Sequence, residues 1–279
     1  MNSEISLWRY SGAMRLRSFC DDLPLGTVRR MLSGLPEARG YDVVVRPLRT
    51  GITLRMTRDG VPDESAGPDE KNLALLAARA YIDEARWPTG CGIDIEKRIP
   101  VGAGLGGGSA DAGAVLRALD SLAPRPLGVE RLMRIAATLG ADVPFLTLDA
   151  PLALGTARGD VIEVLPPLPP RSLVLVLPPF SVSTANAYGW LDADRSPAGE
   201  ARQLDPVALR EAARDWNTLA TVATNDLQPA VAKRHPLIDS YAAALRSAGA
   251  RPALMSGSGS AVFGIYDDEP DVAAIARAC

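Results

Sequence analysis

The chain has 279 residues, 47% of them hydrophobic, which suffices for one large domain or two medium ones sharing a cleft, with a sizeable buried core. Its 30 basic and 33 acidic side chains nearly cancel, which excludes the broad basic field that collects nucleic-acid phosphates or an anionic membrane surface. Any phosphate site must be local, and neither a nucleic acid nor a membrane is an expected partner.

The start, Met1-Asn2-Ser3-Glu4, lacks the basic beginning and apolar core of a signal peptide. No apolar run approaches the roughly 20 residues that span a bilayer. Cys20, Cys91 and Cys279 lie far apart, without metal-binding or redox spacing, and read as reduced thiols. A cytoplasmic protein is the expectation.

Residues 41–56 predict a hairpin, since Val43, Val44 and Val45, then Ile52, Leu54 and Met56, flank the turn-prone Thr50-Gly51. After an acidic, proline-containing linker over 62–69, apolar residues at helical spacing predict a helix over 70–85. A strand over 91–95, a loop over 97–108 and an alanine-rich helix over 109–122 follow, then a helix over 128–139. The prolines and leucines of 165–171 suggest a boundary between domains 1–164 and 165–279. Beyond it come an apolar strand over 172–177, helices over 205–220 and 235–248, two short strands within 252–265, and a helix over 272–278. Without regular βαβ spacing, the pattern predicts an α+β fold. The single histidine, His235, stands before Pro236 in a polar stretch and reads as a surface residue, which argues against histidine triads and zinc sites.

The loop Gly102-Ala103-Gly104-Leu105-Gly106-Gly107-Gly108-Ser109 leads straight into a helix. Missing Cβ atoms let backbone amides approach an anion, and a helix N-terminus adds unpaired N–H groups and partial positive charge. Ser109 either caps the helix or donates to a phosphate oxygen. Three phosphate motifs fail here. Gly102-x-Gly104-x-x-Gly107 meets the dinucleotide spacing, but a second helix follows where a strand ending in an acidic residue is needed. No lysine precedes Ser109, as a Walker loop requires, and no His-Arg-Asp segment follows, as a protein kinase requires. Asp142, between Ala141 and Val143-Pro144, is a carboxylate in an apolar setting, read either as a functional group or as a helix cap.

The stretch KRIPVGAGLGGGSADAGAVLRAL resembles the second motif of the galactose, homoserine, mevalonate and phosphomevalonate (GHMP) kinase superfamily. LGADVPFL at 139–146, MSGSGSAVFGIY at 255–266, TNDLQP at 224–229 and DEKNLALLAARA at 69–80 are similar to the members that phosphorylate 4-diphosphocytidyl-2-C-methyl-D-erythritol, in the non-mevalonate route to isoprenoid precursors. The resemblance implies a two-lobed fold in which ATP, with Mg²⁺, and a cytidine diphosphate-linked methylerythritol meet in the cleft between lobes. By the same matching, Pro100, Val101, Gly102, Ala103, Gly104, Leu105, Gly106, Gly107, Gly108, Ser109 and Ala110 cradle the triphosphate. Ser256, Gly257, Ser258 and Gly259 close on it from the far side, their alternative being a tight hairpin.

Asn72 and Lys97 fall where the family approaches the adenine, and Asp142 falls on its catalytic carboxylate. Otherwise Asn72 is a helix cap and Lys97 a solvated strand-end charge. Ser181, Ser183, Thr184 and Tyr188 are candidates to contact the cytidine or diphosphate, and no residue is assigned as a metal ligand. The family's N-terminal lysine-asparagine pair and Gly-Tyr-His have no recognisable counterpart in residues 1–41, where Arg15 and Arg17 are the available cations and Asp42 follows Gly40-Tyr41. That leaves two alternatives: a superfamily kinase for another alcohol, such as homoserine or mevalonate, and a non-catalytic nucleotide-binding relative.

Overall fold

Burial, rather than order along the chain, decides which strands pair. The computed structural model describes residues 4–9, 42–58, 61–62, 71–97, 102–148, 150, 152–156, 159, 161–194 and 205–279. Strands β1 (Glu4–Arg9), β2 (Asp42–Leu48), β3 (Gly51–Arg58), β4 (Val61–Pro62) and β5 (Gly90–Glu96) come first. The expected hairpin of β2 and β3 does not form. Instead β5 lies between them, antiparallel to β2 and parallel to β3, in a sheet ordered β2-β5-β3-β4.

The reason is physical. Gly90, Cys91, Gly92, Ile93 and Ile95 are all buried, whereas β3 alternates between exposed and half-buried positions. A strand with two buried faces belongs in the middle of a sheet. The fit is close at the strand's start, where a Cβ on Gly90 would stand 2.3 Å from the Gly51 carbonyl oxygen.

Helices α1 (Leu73–Ala85), α2 (Gly107–Leu122) and α3 (Val129–Leu139) enclose the first core, built on Leu75, Tyr81, Ile93, Ile95, Leu116 and Leu119. The helix expected from residue 70 begins at Leu73, because Asn72 caps it by accepting from the Ala74 N–H at 2.9 Å. Tyr81 donates to Asp120 at 2.9 Å, and Asp120 also accepts from the Leu127 N–H at 2.6 Å, which fixes the turn between α2 and α3.

Next come α4 (Val143–Thr147), the helix that the capping alternative for Asp142 implies, and a hairpin of β6 (Leu152–Thr156) and β7 (Val161–Leu165) that the sequence pattern does not predict. β8 (Ser172–Leu177) has the expected bounds and is the inner strand of a second, antiparallel sheet ordered β1-β8-β10-β9, with β9 (Ala253–Met255) and β10 (Val262–Tyr266). One face packs on α5 (Thr184–Asp194), α8 (Gln228–Ala232), α9 (Leu237–Ser247) and α10 (Val272–Ala278) through Val174, Val176, Ala187, Val231, Tyr241 and Ile275.

The other face packs through Leu173, Leu175 and Phe263 on Trp216 and Leu219. These belong to a helical stretch that is two helices, α6 (Pro206–Ala212) and α7 (Trp216–Val222), rather than one over 205–220. Asp215 breaks it by capping α7, accepting from the Thr218 N–H at 2.9 Å. His235 is not a bare surface residue. Its ring stacks on Phe180 with centroids 4.5 Å apart and leans on Trp190 at 5.7 Å.

The result is an α+β protein of two lobes, one around each mixed or antiparallel sheet. Among the described residues no helix is long and apolar enough to cross a membrane.

Candidate active site

The phosphate loop is fastened by its side chains and left open by its glycines. Ala103 and Leu105 are buried in the core beneath the second sheet, together with Ala261 and Phe263. Gly102, Gly104 and Gly106 alternate with them and hold φ of 74°, 74° and 71°, a left-handed backbone that favours glycine. The loop thus leaves β5 in the first lobe, pins itself to the second, and returns to α2.

That helix begins at Gly107, two residues before Ser109, with Gly106 at the cap position and no side-chain cap. Ser109 is therefore a first-turn residue and not the cap. The first bond of the helix runs from the Ala110 N–H to the Gly106 carbonyl at 3.0 Å, so the N–H groups of Gly107, Gly108 and Ser109 precede it. Three amides at a helix mouth, with the macrodipole behind them, suit an anion.

The second glycine loop packs directly on the first. Ser256 Oγ donates to the Gly104 carbonyl at 2.9 Å, and the Ala261 N–H donates to the Ala103 carbonyl at 3.0 Å. A Cβ on Gly104 would stand 2.2 Å from the Ser256 oxygen, so only glycine lets the backbones meet. Segment 181–184 touches both loops: the Val182 N–H reaches the Gly102 carbonyl at 3.4 Å, and the Thr184 and Ser258 hydroxyls are 3.1 Å apart. Ser183 accepts from the Asn186 N–H at 3.1 Å, and Tyr188, one turn on, is 53% exposed.

Asn225 and Gln228, which the sequence reading quoted in a motif without a role, hold the second loop in place. The Asn225 amide donates to the Met255 and Gly257 carbonyls at 2.7 and 2.8 Å, and its own oxygen accepts from the Leu227 N–H at 2.9 Å. Gln228 accepts from the Met255 N–H at 2.9 Å. The only signal in the sequence was the asparagine and glutamine pair around Asp226-Leu227. Asn225→Ala strands both carbonyls. The expected cost is about 1–3 kcal/mol of stability, read by chemical denaturation, together with a higher KM for the nucleotide.

Asp142 precedes α4 in helical conformation, with φ −90° and ψ −17°, and its side chain does not cap the helix. The capping alternative is thereby set aside. α4 lies against α2 at Gly113, where a Cβ would be 2.4 Å from the Leu146 carbonyl oxygen, and Arg117 donates to that same carbonyl. Gly113 is about 9 Å up α2 from Gly107 at 1.5 Å per residue. The helix that Asp142 precedes is thus packed on the helix whose mouth carries the amide cluster.

Lys97 is not a solvated charge. It is buried, its ammonium pairs with the buried carboxylate of Asp111, and its N–H donates to the Thr57 carbonyl at 2.6 Å. Burial pushes the Asp111 carboxyl above its ordinary value, and Lys97 opposes that. Asn72 is the α1 cap, and its amide nitrogen also lies 3.3 Å from the Met56 sulfur. Pro100, Val101, Arg15, Arg17 and Gly40-Tyr41 lie outside the described residues.

Among the described residues no three His, Cys, Asp or Glu side chains gather into a metal-binding group. Mg²⁺ commonly takes one or two carboxylates, with phosphate oxygens and waters completing its shell.

Residues 72–149 match the model of the GHMP kinases N terminal domain, and 207–279 that of the GHMP kinases C terminal. A 4-diphosphocytidyl-2-C-methyl-D-erythritol kinase of Geobacter sp. (strain M21) is 43% identical over 222 residues, covering 78% of this chain and 74% of that protein. The enzyme of the same name from Desulfitobacterium hafniense (strain Y51) is 43% identical over 216 residues, covering 76% and 72%. A crystal structure of 4-(cytidine 5'-diphospho)-2C-methyl-D-erythritol kinase superposes with a TM-score of 0.63 at 30% identity, covering 99% of this chain and 92% of that one. Homoserine kinase from Cytophaga hutchinsonii reaches the same TM-score at 18% identity, a likeness of fold alone.

Proposed function

We infer how the site works from the family to which the chain belongs, the 4-diphosphocytidyl-2-C-methyl-D-erythritol kinases of the GHMP superfamily. It is an ATP-dependent small-molecule kinase that phosphorylates the 2-hydroxyl of that cytidyl alcohol. The observation that carries the reading is the mutual backbone contact of the two glycine loops beside the free amides of Gly107, Gly108 and Ser109.

In this reading the segment from Gly102 to Ala110, preceded by Pro100 and Val101, cradles the triphosphate, with the amides of Gly107, Gly108 and Ser109 aimed at it. The loop from Ser256 to Gly259 covers it. Asn72 and Lys97 border the adenine, Lys97 through its main-chain carbonyl, since its ammonium is held by Asp111 and its N–H by Thr57. Ser181, Ser183, Thr184 and Tyr188 face the cytidine diphosphate.

Asp142 takes the proton of the 2-hydroxyl as its oxygen bonds to the γ-phosphorus. The bond from that phosphorus to the β–γ bridging oxygen breaks, and ADP leaves with the electron pair. Mg²⁺, if brought in with the triphosphate, would supply positive charge against the charge that develops in transfer. Residues 1–164 and 165–279 are taken as the two working halves, with β1 (Glu4–Arg9) lent by the first to the sheet of the second. A cytoplasmic location fits a substrate pair of soluble nucleotides.

Coupled ADP release should be seen with the cytidyl alcohol and not with homoserine or mevalonate. In parallel, a magnesium-bound adenine nucleotide should shift the amide signals of Gly104 to Ser109. Turnover of homoserine or mevalonate instead would reassign the acceptor, and unmoved amides would sink the phosphate assignment.

A further inference from the structure

The ion pair of Lys97 and Asp111 spans the phosphate loop from end to end. Lys97 follows β5 directly, Asp111 is the fifth residue of α2, and the contact closes 14 positions of sequence. Each side chain is only 4% exposed, and Oδ1 of Asp111 is buried without a hydrogen-bond partner.

Stability is a poor reason for such a pair. Charges removed from water recover little from each other, well-packed apolar replacements are often neutral or better, and an orphaned carboxylate oxygen adds to the cost. Geometry supplies a better reason. Lys97 is tied by its N–H to Thr57, on β3 of the first sheet. Asp111 stands between Ala110 and Ala112, 1% and 0% exposed, in a helix packed against α1. Both ends of the contact are therefore stiff, and the glycine-rich segment between them is hung from those ends.

We propose that Lys97 and Asp111 are positioning residues: their pair fixes the separation of β5 from the first turn of α2, and so the aim of the Gly107, Gly108 and Ser109 amides at the nucleotide. The pair acts through the loop and does not touch the phosphates. This rests on the phosphate-loop reading above. Small misplacements of a binding group cost on the order of 10²-fold in rate, so a slackened loop should be visible in kinetics.

Asp111→Asn keeps the shape and removes the charge. Its KM for ATP is expected to rise about tenfold or more, while the KM for the cytidyl alcohol stays within about twofold. A merely structural role would lower Tm and the active fraction and leave the KM for ATP of the folded enzyme unmoved. If Asp111→Asn does not fold, the double variant Lys97→Met/Asp111→Leu supplies an apolar core, and the same rise in KM is expected. A folded variant of either kind with the wild-type KM for ATP overturns the proposal. Wild-type amides that ignore the nucleotide overturn the phosphate-loop reading itself, and this inference with it.

Discussion

Asp142→Asn is expected to fold like the wild type and to turn over about 10²–10⁴ times more slowly, the range a positioned general base contributes. In barrier terms this is about 3–5 kcal/mol. The fold should survive because the carboxylate does not cap α4, and an amide of the same shape can occupy its place. The anchorage that positions the residue includes α4 lying on α2 at Gly113 and Arg117 bonded to the Leu146 carbonyl, neither of which the substitution alters. The loss should therefore fall on kcat, with the KM for ATP nearly unchanged. Single-turnover kinetics beside a thermal melt would check this, and a folded variant with wild-type kcat would remove Asp142 from the chemistry.

Gly104→Ala should be nearly as damaging for a different reason. The new methyl would stand 2.2 Å from the Ser256 oxygen and 2.7 Å from the Gly259 nitrogen, both backbone atoms that cannot rotate away. The residue also holds φ of 74°, which costs an alanine about 1–2 kcal/mol. The two glycine loops must separate, and about a hundredfold of kcat/KM for ATP should be lost, along with several degrees of Tm. Gly128→Ala is the control. It has φ of 81° but nothing within 4 Å of a built Cβ, so it should show the backbone strain without the kinetic loss. Isothermal titration with a non-hydrolysable nucleotide separates the two effects.

Local signals were legible wherever local chemistry decides. β8, α10 and the strands around the Ser256 loop follow from short apolar runs between turn residues, and α6 was recognisable from its start at Asp205 and Pro206. Non-local choices were hidden. That β2 and β3 would be parted by a strand nearly forty residues later depends on both faces of β5 being covered, which no window of sequence displays.

The start of α2 at Gly107, two residues before the expected Ser109, runs against the low helix propensity of glycine. The short helix after Asp142 and the hairpin of β6 and β7 carry too few residues for a period to show. In the site, the glycine loops and Asp142 announced themselves by composition and setting. Asp111 did not, since one aspartate among alanines on a helix is ordinary until its partner across the loop is known. Asn225 and Gln228 were similarly mute, because they bond backbone groups about thirty positions away, two carbonyls for Asn225 and one N–H for Gln228.

The central place of β5 has a consequence for synthesis of the chain. β2 and β3 leave the ribosome early, but β2 finds no neighbour to bond until residues 90–96 have been made and β3 has only the two-residue β4, so the nascent first lobe carries bare strand edges through the whole of α1. The moment Glu96 emerges, one strand inserts, two ladders close together, and the nucleotide loop that follows meets a finished platform rather than a growing one.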